Sequence, residues 1–139
     1  MSQENVEIVR QAIEAWNSFF KDGTDPIAAL REFCDPDITV DLSRRLIDAE
    51  TYVGYQGAQR FLEQLREPWE DFQIEPERFM DTDNKVVVFS RVVGNAKQTG
   101  INIDSTVGHV CTLRDGKLIR IDYFGEDRGA ALEAVGLSQ

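Results

Sequence analysis

One histidine, two cysteines and a shortage of basic groups narrow the chemistry of this chain before any motif is considered. A single His with Cys34 and Cys111 cannot build the four-ligand site usual for structural zinc, so no metal is expected. Two distant Cys fit free thiols in a reducing compartment better than a disulfide framework. Lys and Arg number 15 against 25 Asp and Glu, a net charge of −10. So acidic a chain repels phosphate backbones and anionic lipid, which argues against nucleic-acid and membrane partners. Long apolar runs are missing too. The longest, Val86-Val87-Val88-Phe89, is strand-sized, far below the roughly 18 residues that cross a bilayer. The opening MSQENVEIVRQ carries acidic residues where a signal peptide needs a basic end and an apolar run, so a cytoplasmic location is expected. Walker-type and glycine-rich phosphate-binding spacings are absent, and no cofactor is implied.

What is present fits one soluble domain over residues 1–139. The 42% apolar and 29% charged residues are the balance of a chain that folds rather than one that stays disordered. Val6, Val9, Ile13, Trp16 and Phe20 recur at spacings of three and four, with Ile8, Ala12, Ala15 and Phe19 as a second stripe. The pattern predicts a helix over 4–20, covered on two sides. Asp25-Pro26 reads as an N-cap followed by proline, opening a helix over 25–34 that Asp35-Pro36 stops. Ile38 to Leu42 alternates as a short strand, and 43–55 reads as a loop. A third helix over 57–69 places Ala58, Phe61, Leu62, Leu65 and Trp69 on one side.

Beyond Pro68 the apolar period changes to two, predicting strands over 72–80, 85–93, 101–113 and 118–124. Asp115-Gly116 is a hairpin signal, and a short helix over 128–135 ends at Gly136. Helices followed by consecutive strands predict an α+β fold with a mostly antiparallel sheet and helices on one face.

The segments ENVEIVRQAIEAWN, FCDPDITVDLS, YQGAQRFLEQ and HVCTLRDGKLIRIDYF, in this order, resemble the SnoaL-like polyketide cyclases. These belong to the nuclear transport factor 2-like superfamily, which also holds the ketosteroid isomerases. The resemblance covers nearly the whole chain. It implies a cone, a strongly curved sheet wrapped over three helices, with a pocket for a small hydrophobic molecule. It also implies a homodimer formed through the outer face of the sheet. The superfamily hosts isomerases, cyclases, epoxide hydrolases and binding proteins, so fold alone names no activity.

Alternation sorts the strands into faces. Val107, His109, Cys111 and Leu113 share one side, as do Ile119, Ile121 and Tyr123, with Arg120 and Asp122 opposite. The apolar sets are assigned to the concave face. That places His109, Tyr123 and Ile121 in the pocket and Asp122 outside it. His109, with an ordinary pKa of about 6.5, suits either a general acid/base or a hydrogen-bonded core position. ITVDLS resembles the isomerase segment carrying the catalytic base, which implies Asp41 as a base; the alternative is a surface carboxylate at a strand end. Two departures from the family stand out. Ile13 replaces the isomerases' helix-1 Tyr, and Tyr123 stands where cyclases carry Asp. Nor does the sequence place two buried Asp around an Arg, the relay of this fold's epoxide hydrolases.

Trp16, Tyr52 and Phe61 are expected in the pocket wall. Arg91 shares a face with Val87, Phe89 and Val93, and is either a pocket polar group or an outer residue paired with a carboxylate. Arg44 and Arg45 could cap the mouth or form a solvated pair. Val86, Val88, Val92 and Val110 are expected to form the outer apolar patch that a second copy would cover. Cys111 and His109, about 7 Å apart on one strand face, are too distant for a nucleophilic dyad. Two readings follow. One is a cofactor-free enzyme in which Asp41, His109 and Tyr123 move protons on a small apolar substrate. The other is a binding or scaffold protein of the same fold.

Overall fold

The two apolar stripes of the first helix are covered as expected. In the computed structural model, which describes residues 2–42 and 51–137, α1 spans Ser2–Asp22 and buries Val9, Ala12, Ile13, Phe19 and Phe20. The Phe20 ring meets Phe72 edge-on at 5.0 Å. Asn17 fastens the helix to the sheet margin. Its side-chain amide donates to the Ile74 carbonyl at 2.8 Å, and its oxygen accepts from the Ile74 N–H at 2.9 Å. An edge strand otherwise presents such backbone groups unpaired.

Asp25 accepts from the Ile27 N–H at 3.0 Å, starting α2 (Ile27–Phe33). The helix is over before Asp35-Pro36, as expected, and the chain turns directly into β1 (Cys34–Asp41), which takes in that dipeptide. A short strand that the sequence pattern does not reveal, β2 (Thr51–Val53), precedes α3 (Gly54–Arg66). Trp69 is not on that helix. It opens β3 (Trp69–Thr82), which is followed by β4 (Lys85–Ala96), β5 (Asn102–Arg114), β6 (Lys117–Gly125) and α4 (Arg128–Ala134).

The six strands form one open sheet in the order β2-β1-β6-β5-β4-β3, with β1 and β6 parallel and the other pairs antiparallel. This is the α+β curved-sheet architecture expected, with α1, α2 and α3 on the concave side. Asp115 and Gly116, both at positive φ (52° and 77°), make the tight β5–β6 turn.

Register settles the faces. One concave row runs Phe79–Val88–His109–Tyr123 across β3 to β6. Another runs Val86–Cys111–Ile121–Val40–Tyr52 from β4 to β2. Val86, Val88 and Val92 therefore belong to the concave core and are at most 8% exposed, not to an outer patch. The convex apolar residues are Val87, Phe89, Val110 and Phe124, and Ala131 and Leu132 of α4 cover them. Gly108 permits that covering: a Cβ there would lie 3.3 Å from the Ala131 Cβ. The four valines expected to motivate a homodimer thus form no exposed patch. No helix among the described residues is long and apolar enough to cross a membrane.

Candidate functional site

Between the helices and the concave face lies a cavity of about 60 Å³. Ile13, Trp16, Phe61, Ile121, His109 and Tyr123 are in its wall, with Leu62 and Leu65 of α3 and Ile38, Val40 and Leu42 near β1. Pockets for drug-sized ligands typically measure roughly 300–1,000 Å³, so this one suits a compact molecule. Helical spacing aims Ala58, Phe61, Leu62 and Leu65 inward from one side of α3, while strand alternation supplies the opposite wall.

His109 and Tyr123 are directly opposite on β5 and β6, with ring centroids 5.2 Å apart. The His109 ring keeps some accessible surface because it borders the cavity, yet protein encloses it deeply. Burial pushes its pKa down to about 4, so the imidazole is neutral at pH 7. Among the described residues neither ring nitrogen has a hydrogen-bond partner. Burial also pushes the Cys111 and Cys34 thiols, both in the cavity wall, up to about 12. They are protonated at pH 7 and are not nucleophiles there.

Ser90 is a site residue that sequence reasoning missed. It lines the cavity, is fully buried, and its hydroxyl has no hydrogen-bond partner among the described residues. Its place two residues after Val88 is the signal that could have found it, once the face of β4 is known.

Three expected site residues lie elsewhere. Asp41 does not line the cavity. Ile38, Val40 and Leu42 point inward, so strand alternation turns Asp41 outward, opposite Asp122 on β6. There Arg120 bridges the two carboxylates: its Nη2 donates to Asp41, and its Nε donates to Asp122 Oδ1 at 3.0 Å. An Arg between two half-buried or buried Asp thus exists, but on the face away from the cavity. Arg91 is also outward and exposed. It donates bidentately to Asp104 at 2.7 and 2.6 Å, with Glu75 at 3.6 Å, and its hydrogen bonds hold the Asp104 carboxyl below the usual carboxylate range. Tyr52 is buried outside the cavity wall, its ring tilted against Phe61 with centroids 5.4 Å apart and its hydroxyl bonded to Gln64. Arg44 and Arg45 fall outside the described residues.

Among the described residues no carboxylate and no Lys or Arg lines the cavity, and no cluster of three or more His, Cys, Asp or Glu could hold a metal. The chemistry available inside is that of a neutral imidazole, two hydroxyls and two thiols in an apolar shell.

The curved sheet, the three helices and the pocket between them define a nuclear transport factor 2-like cone. The chain belongs to the SnoaL-like domain family, whose profile matches residues 9–121. It is similar to a protein from Jannaschia sp. CCS1 described as a SnoaL-like polyketide cyclase, at 23% identity and a TM-score of 0.77, covering 100% of this chain and 96% of that one. It is also similar to Bal32a from a soil-derived mobile gene cassette, at 19% identity and a TM-score of 0.75, covering 91% and 92%. TerC, co-crystallised with polyporic acid, matches at 23% identity and a TM-score of 0.68, covering 95% and 97%. At these identities the likeness is one of fold. No curated protein matches the chain.

Proposed function

We propose that the cone binds a small hydrophobic molecule, with His109 and Tyr123 at the polar end of the site. The observation that carries this reading is an almost wholly apolar cavity with a neutral imidazole in its wall. Apolar walls supply affinity through burial, and the few polar groups fix orientation. TerC, of the same fold, was co-crystallised with polyporic acid, which supports a ligand-holding use of the cone.

A second reading, cofactor-free acid/base chemistry, is favoured by the open ring nitrogens of His109. A neutral imidazole can accept a proton, and a positioned base is typically worth about 10²–10⁴-fold in rate. The outward position of Asp41 removes the carboxylate from that scheme, leaving His109 with Tyr123 opposite it.

The test is a thermal-shift screen with small monocyclic and terpenoid compounds, followed by turnover assays on each one that binds. Binding is expected to raise Tm with ligand concentration by mass action, and Ala58→Leu, which narrows the cavity, is expected to abolish the rise. If no compound raises the wild-type Tm, or Ala58→Leu responds as the wild type does, the reading is wrong. Turnover lost in His109→Gln with binding retained would establish the catalytic reading instead.

A further inference from the structure

We propose that Ser90 and His109 together recognise one uncharged oxygen, a carbonyl or a hydroxyl, on an otherwise apolar ligand, and that the cavity rejects carboxylates and amines. This rests on the binding reading above and names the class of molecule that the site takes.

Ser90 is 0% exposed, lines the cavity, and its hydroxyl lacks a hydrogen-bond partner among the described residues. A buried hydroxyl is nearly always paired, so an unpartnered one on a residue of the cavity wall marks a place where a ligand atom could complete the pairing once the wall gives way. Ser90 lies opposite Val107, and His109 is two residues further along β5, so the two side chains are diagonal neighbours on the concave face. Such neighbours stand roughly 7 Å apart at Cβ, a span that a single oxygen atom can bridge. The serine hydroxyl both donates and accepts, and a neutral imidazole donates from one nitrogen and accepts at the other. The pair therefore suits a carbonyl, which accepts, and a hydroxyl, which does both.

The exclusion of ions follows from what surrounds that pair. No acidic or basic side chain among the described residues lines the cavity, so a charged ligand would lose its water and gain no counter-ion. Burial keeps the imidazole itself uncharged down to a pH of about 4. The cavity of about 60 Å³ is smaller than the roughly 150 Å³ that holds a benzene ring, so the walls must give way for a ligand of even one ring.

The experiment titrates wild type, Ser90→Ala and His109→Phe with phenol, cyclohexanone, toluene, benzoate and benzylamine at pH 7. Heat of binding is one readout. The ring-nitrogen NMR signals of the single histidine are the other, and they need no assignment by mutation. Ser90→Ala exchanges an unpartnered hydroxyl for a smaller apolar group, so the fold is expected to persist, and an unchanged urea midpoint verifies it. In wild type, phenol and cyclohexanone are expected to bind and to move the His109 signals, while benzoate and benzylamine do neither. Each substitution is expected to weaken phenol and cyclohexanone by about three- to tenfold and to leave toluene unchanged. If toluene binds but Ser90→Ala leaves phenol and cyclohexanone unaffected, or benzoate binds as well as phenol, the ligand class is wrong while the pocket reading stands. If not even toluene binds, both are overturned.

Discussion

The two faces of the sheet handle polar groups in opposite ways. On the convex face the charges are paired: one Arg91 serves Asp104 and Glu75, and one Arg120 serves Asp41 and Asp122, on the face that carries the apolar patch under α4. On the concave face the polar groups are few and uncharged, and two of them, Ser90 and His109, have no hydrogen-bond partner among the described residues. A protein that only needed to fold would fill those positions with apolar side chains, since an unpartnered buried polar group costs roughly 1–3 kcal/mol. The convex face is therefore organised for stability, and the concave face keeps a cost that a ligand would offset.

The sharpest way to break this contrast is to place one charge on each face. Val88 is 1% exposed and faces His109, whereas Val93 is partly buried on the convex side, opposite Asp104. Val88→Lys buries a charge where no carboxylate among the described residues lines the cavity, and is expected to cost at least about 4 kcal/mol. Val93→Lys can reach the carboxylate across the strand pair and is expected to cost no more than about 1 kcal/mol. Urea denaturation at pH 7 measures both. Similar losses would mean that the concave wall is wetter than its lining suggests.

A smaller effect comes from the imidazole. Burial lowers the His109 pKa from 6.5 to about 4. Above pH 6.5 neither the folded nor the unfolded chain holds this proton, and the shift has no consequence. Between 6.5 and 4 the unfolded chain takes up the proton while the folded chain does not, so stability falls as pH falls, with the full loss reached below about pH 4. The shift corresponds to about 3 kcal/mol. His109→Gln is expected to flatten the curve between pH 6.5 and 4 relative to wild type. Parallel curves for the two proteins would place the ring in contact with bulk water.

Much of this architecture is legible in the sequence because the patterns are long. The stripes of α1 and the period change after Pro68 extend over many residues, so single exceptions do not obscure them. What is not legible is local or two-sided. The strand β2 has three residues, too few for any period to show. Along β4, Val86 to Phe89 are apolar on both faces because α4 builds a second core on the convex side, and alternation then cannot say which face is which. That ambiguity leaves the side of Arg91 open and hides Ser90. Asp41 is different, since its position was readable. Ile38, Val40 and Leu42 share a face, and the alternation that turns Asp122 outward turns Asp41 outward as well. A family motif located the residue but did not say where its carboxylate points.

The smallest effects separate the two convex clusters from each other. In the Arg91 cluster the partners are open to solvent, with side-chain exposures of 46% for Arg91 and 55% for Asp104. Water and salt screen such a pair, and ordering two long side chains opposes it, so Arg91→Gln is expected to leave the urea midpoint within error. The Arg120 cluster differs because its carboxylates are not open: the Asp41 and Asp122 side chains are 14% and 11% exposed. They stand directly opposite each other in the parallel register of β1 and β6, where like charges repel, and the guanidinium offsets that repulsion. Arg120→Gln keeps a hydrogen-bond donor but removes the charge, and is expected to cost about 1–2 kcal/mol. Adding salt should narrow the gap between wild type and Arg120→Gln in part, because the guanidinium is 41% exposed while the two carboxylates it serves are not. If both substitutions prove silent, the convex face is held by α4 alone. If Arg91→Gln proves the costlier of the two, exposure is not what sets the strength of these clusters.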